Sequence, residues 1–211
     1  SPSLTGTLGS ILSGEGPASV LETIRVEWCR MVGSIPTTIG KLTTLVNFIV
    51  DGNELTGTLP NELIFLTKLE VLVVNDNKFS GTLPSELGQL TQLTNLLLYS
   101  NQFTGSIPSR LPPSLKKLNF DFNRFTGGLE FLQGLTSLSI VSGSNNILSK
   151  TLPTFLGQLS ALESLYLDGN QISGTVLAEF GNINGFKQLK LGSNLLTGSV
   201  PFDALTNLQT L

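Results

Sequence analysis

The sequence contains no histidine and a single cysteine, Cys29. Without histidine the usual general base at neutral pH is missing. One cysteine forms no internal disulfide, and a zinc site built on Cys and His is out of reach. Charge is also scarce: Asp, Glu, Lys and Arg make up 13% of the chain, with a net charge of −3, about half the usual charged share. That mild, mixed balance lacks the basic stripe of a nucleic-acid binder. No apolar run approaches the roughly 18 residues of a membrane-crossing helix, so no membrane contact is expected within this segment. Ser1–Ser10 shows no basic stretch followed by an apolar one, so any leader is expected to lie outside it. These absences predict a protein that is not an enzyme, with no catalytic residue, no metal site and no cofactor.

What the chain has instead is a repeat. Leu45, Leu69 and Leu93 are 24 residues apart, and the frame returns at Leu21, Leu115, Leu138, Leu162 and Phe186. Units of 22 and 23 residues begin at Leu93 and Leu115. About eight units of 22–24 residues fill 21–211, and residues 1–20 read as a partial unit with an irregular insertion. Each unit opens LxxLxLxxN. In the unit at Leu69, Leu72 and Val74 alternate with Val73 and Asn75, the period of a half-buried strand. Leu72 and Val74 are expected to point inward, and Val73 and Asn75 outward. Stacked units then pair one parallel strand per repeat, about 4.8 Å apart.

Three further columns shape the turn away from the strand. Asn53, Asn77, Asn101, Asn123, Asn146, Asn170 and Asn194 recur at one position, where an amide supplies both donors and acceptors to the turning backbone. Cys29 holds that position in the first full unit, and reads as a small buried thiol replacing Asn. A Gly column, such as Gly57 and Gly81, and a Pro column, such as Pro60 and Pro84, bend the chain onto the other side. Leucines spaced by three, as in Leu87, Leu90 and Leu93, suit short 3₁₀ turns there.

The whole pattern, LxxLxLxxNxLTGxLPxxLGxLxx, resembles the plant-type leucine-rich repeat over Leu21–Leu211. That family includes receptor-kinase ectodomains and polygalacturonase-inhibiting proteins. The resemblance implies an α/β fold: a right-handed horseshoe solenoid with a concave parallel sheet, 3₁₀ turns, and a second, shorter sheet from the LTGxLP segment. It also implies an extracellular or cell-surface module that recognises a protein or peptide partner. A second implied role is inhibition of a polysaccharide-degrading enzyme. The chain departs from plant relatives in lacking paired cap cysteines and N-glycosylation sequons. Neither end reads as a polar cap, so the array is expected to continue past both.

On the concave side, Ile49, Val73 and Leu97 are apolar in three adjacent units, with Trp28, Tyr99, Phe122 and Tyr166 around them. Contiguous exposed apolar surface and aromatics mark partner sites. Branched residues also suit a pleated sheet whichever way they face, so the pattern admits both readings. A second row, Glu27, Asp51, Asp121 and Asp168 with Asp76 alongside, would attract a basic partner or cation, or simply solubilise the face. Glycoside hydrolysis by such carboxylates is disfavoured, because an open sheet excludes no water. On the other side, Thr/Ser pairs such as Thr56–Thr58 and Ser80–Thr82 flank each Gly. Their regular spacing suggests a structural or ice-binding face, although it is also simply the repeat's own pattern. At Gly143 a core strand residue is missing and at Lys150 a column Gly is replaced. A local cavity or bend is expected there.

Overall fold

The computed structural model describes residue 9 and residues 20–211. The partial unit expected over 1–20 lies almost wholly outside the described residues. Eight three-residue strands, one per unit, form a parallel sheet in chain order: Thr23–Arg25, Asn47–Ile49, Val71–Val73, Asn95–Leu97, Lys117–Asn119, Ile140–Ser142, Ser164–Tyr166 and Gln188–Lys190. The inward residues Phe48, Leu72, Leu96, Leu118, Val141 and Leu165 are buried, and they form one continuous core with the leucines that open each unit.

The segment after each Asn builds a second parallel sheet of six short strands, from Val32–Gly33 to Ile147–Leu148. Ser173–Gly174 and Leu195–Leu196 pair separately. Between the sheets run 3₁₀ turns such as Thr37–Lys41, Asn61–Phe65 and Thr154–Gln158. The 22-residue unit at Leu93 has none; there Pro112 and Pro113, which lack amide donors, replace the turn. The fold is a leucine-rich repeat horseshoe, as its repeat implied.

The asparagine ladder does more than close each turn. Asn77 Oδ1 accepts from the Leu55 amide of the preceding coil at 2.9 Å, while its Nδ2 donates to Val50 and Asn75 carbonyls at 2.9 and 3.0 Å. Asn101, Asn123, Asn146, Asn170 and Asn194 repeat this bridge. Each amide therefore ties two coils together through groups that would otherwise be buried without partners. Cys29 is half-buried rather than buried, and its thiol donates to the Glu27 carbonyl at 3.0 Å. It keeps only the local half of the amide's work.

The expected cavity at Gly143 is absent. The Phe120 ring of the preceding coil occupies the space, so close that a Cβ on Gly143 would clash with it. Phe120 also packs edge-on against Phe125 and Phe131, at 5.7 and 5.9 Å. Large and small residues in neighbouring coils thus exchange volume, which fills the space beside Gly143. Lys150 adopts the left-handed conformation of the glycine it replaces, with φ 71°, and its amine pairs with Glu130 at 2.7 Å.

Candidate partner-binding face

The pairing register fixes which side chains share the concave face. Arg25, Ile49, Val73, Leu97, Asn119, Ser142, Tyr166 and Lys190 fall in one line across the strands. Thr23, Asn47, Val71, Asn95, Lys117, Ile140, Ser164 and Gln188 form a parallel line two residues earlier. The sequence reading left out this second line. It adds Val71 beside Ile49, Val73 and Leu97, giving a half-buried apolar panel over three adjacent coils. Strand alternation places residues i and i+2 on one face, so the sequence carries the signal for this line.

Tyr99 flanks the panel on the next column, but Tyr166 lies three strands beyond Leu97 and belongs to a separate area. There the Tyr166 hydroxyl donates to Gln188 and Lys190 Nζ stands 5.4 Å from the ring centre. Trp28 and Phe122 stand in the column that ends each strand. In that column the backbone is left-handed throughout, with φ near 50–65° at Trp28, Gly52, Asp76, Ser100, Phe122, Asn145, Gly169 and Ser193. Gly, Asp, Asn and Ser tolerate this conformation; bulky aromatic residues rarely adopt it. Even so, Trp28 is 72% and Phe122 58% exposed, so core burial offsets little of that cost. They occupy the first and fifth coils and bracket the apolar panel of coils two to four. At about 4.8 Å per coil, they are about 19 Å apart.

The acidic row is two clusters, not one. Glu27, Asp51 and Asp76 gather at one end, and Asp121 and Asp168 further along. The Arg25 guanidinium, 2.7 Å from Glu27, holds that carboxyl below its ordinary range. Burial pushes Asp51 up, and the neighbouring Glu27 and Asp76 carboxylates reinforce it. Burial also raises Asp121, although the Ser142 hydroxyl donates to it at 2.6 Å and the Ser144 amide donates as well. Burial and the charges of Asp76 and Asp51 push the Tyr99 phenol up.

Outward phase does not give exposure on this face: Asn75 is only 2% exposed. Ser142 and Ser144, counted in the outward columns, are buried too. On a concave sheet, short side chains sink beneath longer neighbours, and alternation in sequence does not report that. On the opposite sheet, Thr56, Ser80, Thr104, Thr126, Ser149, Ser173 and Thr197 recur at one repeat position, but the pairing register sets Thr56 beside Lys78 and Ser80 beside Gln102 rather than beside one another. A second column two residues on includes Thr58, Thr82, Thr151 and Thr175. The Thr58 and Thr82 methyls sit over Gly81 and Gly105 of the next coil, where a Cβ would come within 2.7 and 2.8 Å.

The family model described as Leucine Rich Repeat matches residues 68–90, 92–113 and 161–183. The search of curated protein sequences finds no match. Among solved structures, a plant peptide hormone receptor, RGFR1 in complex with RGF2, is similar at 28% identity and TM-score 0.93, over 98% of this chain and 34% of that one. The Arabidopsis receptor kinase HAESA, in complex with the peptide hormone IDA and the co-receptor SERK1, is similar at 28% identity and TM-score 0.85, over 97% and 35%. A plant ice-binding protein is similar at 26% identity and TM-score 0.65, over 98% and 76%. The chain carries leucine-rich repeats. Its repeats are of the plant type found in receptor-kinase ectodomains, and it spans about a third of the length of the two receptors described.

Proposed function

We propose that this chain is a non-catalytic recognition module that binds an extended peptide segment of a protein partner across its concave face, outside the cell. One observation carries the reading: two exposed aromatics, Trp28 and Phe122, keep a left-handed backbone at either end of the panel formed by Ile49, Val71, Val73 and Leu97. Strain that core burial does not offset is the signature of a functional position. The span of about 19 Å suits about six residues of extended chain. Receptors of the same fold are described in complex with peptide hormones, which supports a peptide as the occupant. Tyr99 and Tyr166 would add contacts along the same face. Peptides selected from a displayed library on the immobilised protein should lose binding to the Leu97→Asp, Val73→Lys double variant. They should keep it on a Thr58→Tyr variant of the opposite face, and unchanged capture by the double variant overturns the assignment.

A second reading, ice binding, rests on the hydroxyl columns, whose Thr58 and Thr82 methyls are pinned over glycines of the next coil. Similarity to a plant ice-binding protein supports it. Gly128 and Lys150 interrupt the array, which ranks it second. Ice-crystal shaping by the native chain and its loss in Thr58→Tyr, Thr82→Tyr would establish this reading, and unaltered crystal growth would remove it.

A further inference from the structure

At one end of the concave face, two side-chain oxygens are buried and accept no hydrogen bond: Asp51 Oδ1 and Asn75 Oδ1. They belong to adjacent coils and to the same column, since the Gly52 amide, next to Asp51, donates to the Asn75 carbonyl at 3.1 Å. Asn75 directs its amide donor to Asp76 Oδ2, at 2.8 Å, and makes no bond to Asp51 Oδ1. Solvent does not reach either oxygen, so bulk water does not supply the missing donors. Glu27 and Asp76 add carboxylates around them, and the Tyr99 hydroxyl faces Asp76 and Asn75. Arg25, the nearest cation, spends two of its nitrogens on Glu27, at 2.7 and 3.0 Å.

A surplus of acceptors beside net negative charge calls for a ligand that only donates and is positively charged. We infer that Glu27, Asp51 and Asp76, with the buried Asn75 beneath them, form a subsite for an arginine or lysine side chain of the bound peptide. The aliphatic stem of such a residue would lie along Ile49 and Val73, one column away, while its head group reaches the acid cluster. The Asp51 carboxyl is only half-buried as a residue, and its terminal torsion is soft. A turn about that bond presents its unpaired oxygen to the incoming donor.

The subsite rests on the concave-face reading but is tested without any partner. The probe is acetyl-arginine amide, with acetyl-citrulline amide as its neutral isostere, followed by NMR of the Asp51 carboxyl carbon and the Asn75 side-chain amide. The arginine probe should shift both signals and the citrulline probe neither. Asp51→Asn should weaken the arginine probe by at least about tenfold, because the remaining acids lose their central charge. The inference is overturned if the arginine probe leaves both signals unmoved, if citrulline matches it, or if Asp51→Asn binds equally well. A silent probe alongside loss of peptide capture in Leu97→Asp, Val73→Lys would sink the subsite and leave the concave face standing. A responsive probe with unchanged capture would do the reverse.

Discussion

Phe120 and Gly143 share one volume across neighbouring coils: the ring of the first lies where the side chain of the second would be. Gly143→Ala should therefore destabilise the protein by about 1–3 kcal/mol, the range for overpacking a dense core. Thermal unfolding of the single variant, and of Gly143→Ala with Phe120→Leu, checks it. The double variant should cost less than the sum of the two singles, because contacting residues couple.

The Asn bridge makes a second expectation specific. Asn77→Ala leaves the buried Leu55 amide without its acceptor, a loss of about 1–3 kcal/mol. In a solenoid that loss should be felt first by neighbouring coils. Hydrogen exchange should accelerate around Leu55 and Asn77 before the coils near Leu189. Cys29→Ala, which gives up one thiol bond at a half-buried site, should cost about 1 kcal/mol or less.

Phe122 should trade stability against binding. Phe122→Asn relieves a bulky left-handed residue, worth about 1 kcal/mol. The variant should melt at a higher temperature than the native chain and capture selected peptides less well. A lower melting temperature would show that the exposed ring contributes more packing than its exposure indicates.

Two half-buried aspartates set the pH response. Asp51 and Asp121 have folded pKa values above their ordinary 3.8, so the folded state holds their protons more tightly than the unfolded one. Stability then falls as pH rises through the window above 3.8, and climbs as pH drops from neutral into it. Glu27, Glu54 and Glu130 are shifted the other way by Arg25, Lys78 and Lys150. Their contribution is present above their ordinary 4.5 and disappears only below it. Melting temperature should therefore rise as pH is lowered from neutral toward the ordinary carboxylate range, before the glutamate contributions are lost below 4.5, and Asp51→Asn should flatten that rise.

Much of this was legible in one dimension. Leu72 and Val74 announced the strand, the Asn column announced its turn, and Leu87 with Leu90 announced the 3₁₀ segment. The side of the sheet was legible as well, because alternation assigns it. Depth was not: Asn75 and Val73 share an outward phase, yet one is sealed beneath its neighbours and the other is half open. The left-handed strain at Trp28 and Phe122 was also hidden, since the sequence shows a column but not its φ.

The Phe120–Gly143 exchange marks the same boundary. Periodicity by itself determined the coil, the strand register and the ladder, because a 24-residue repeat leaves its apolar faces only one way to stack. Whether a missing side chain leaves a hole, a short polar one lies beneath its neighbours, or an oxygen finds no donor depends on the adjacent coil, about 24 residues away along the chain. Those outcomes were decided only when the coils were laid side by side.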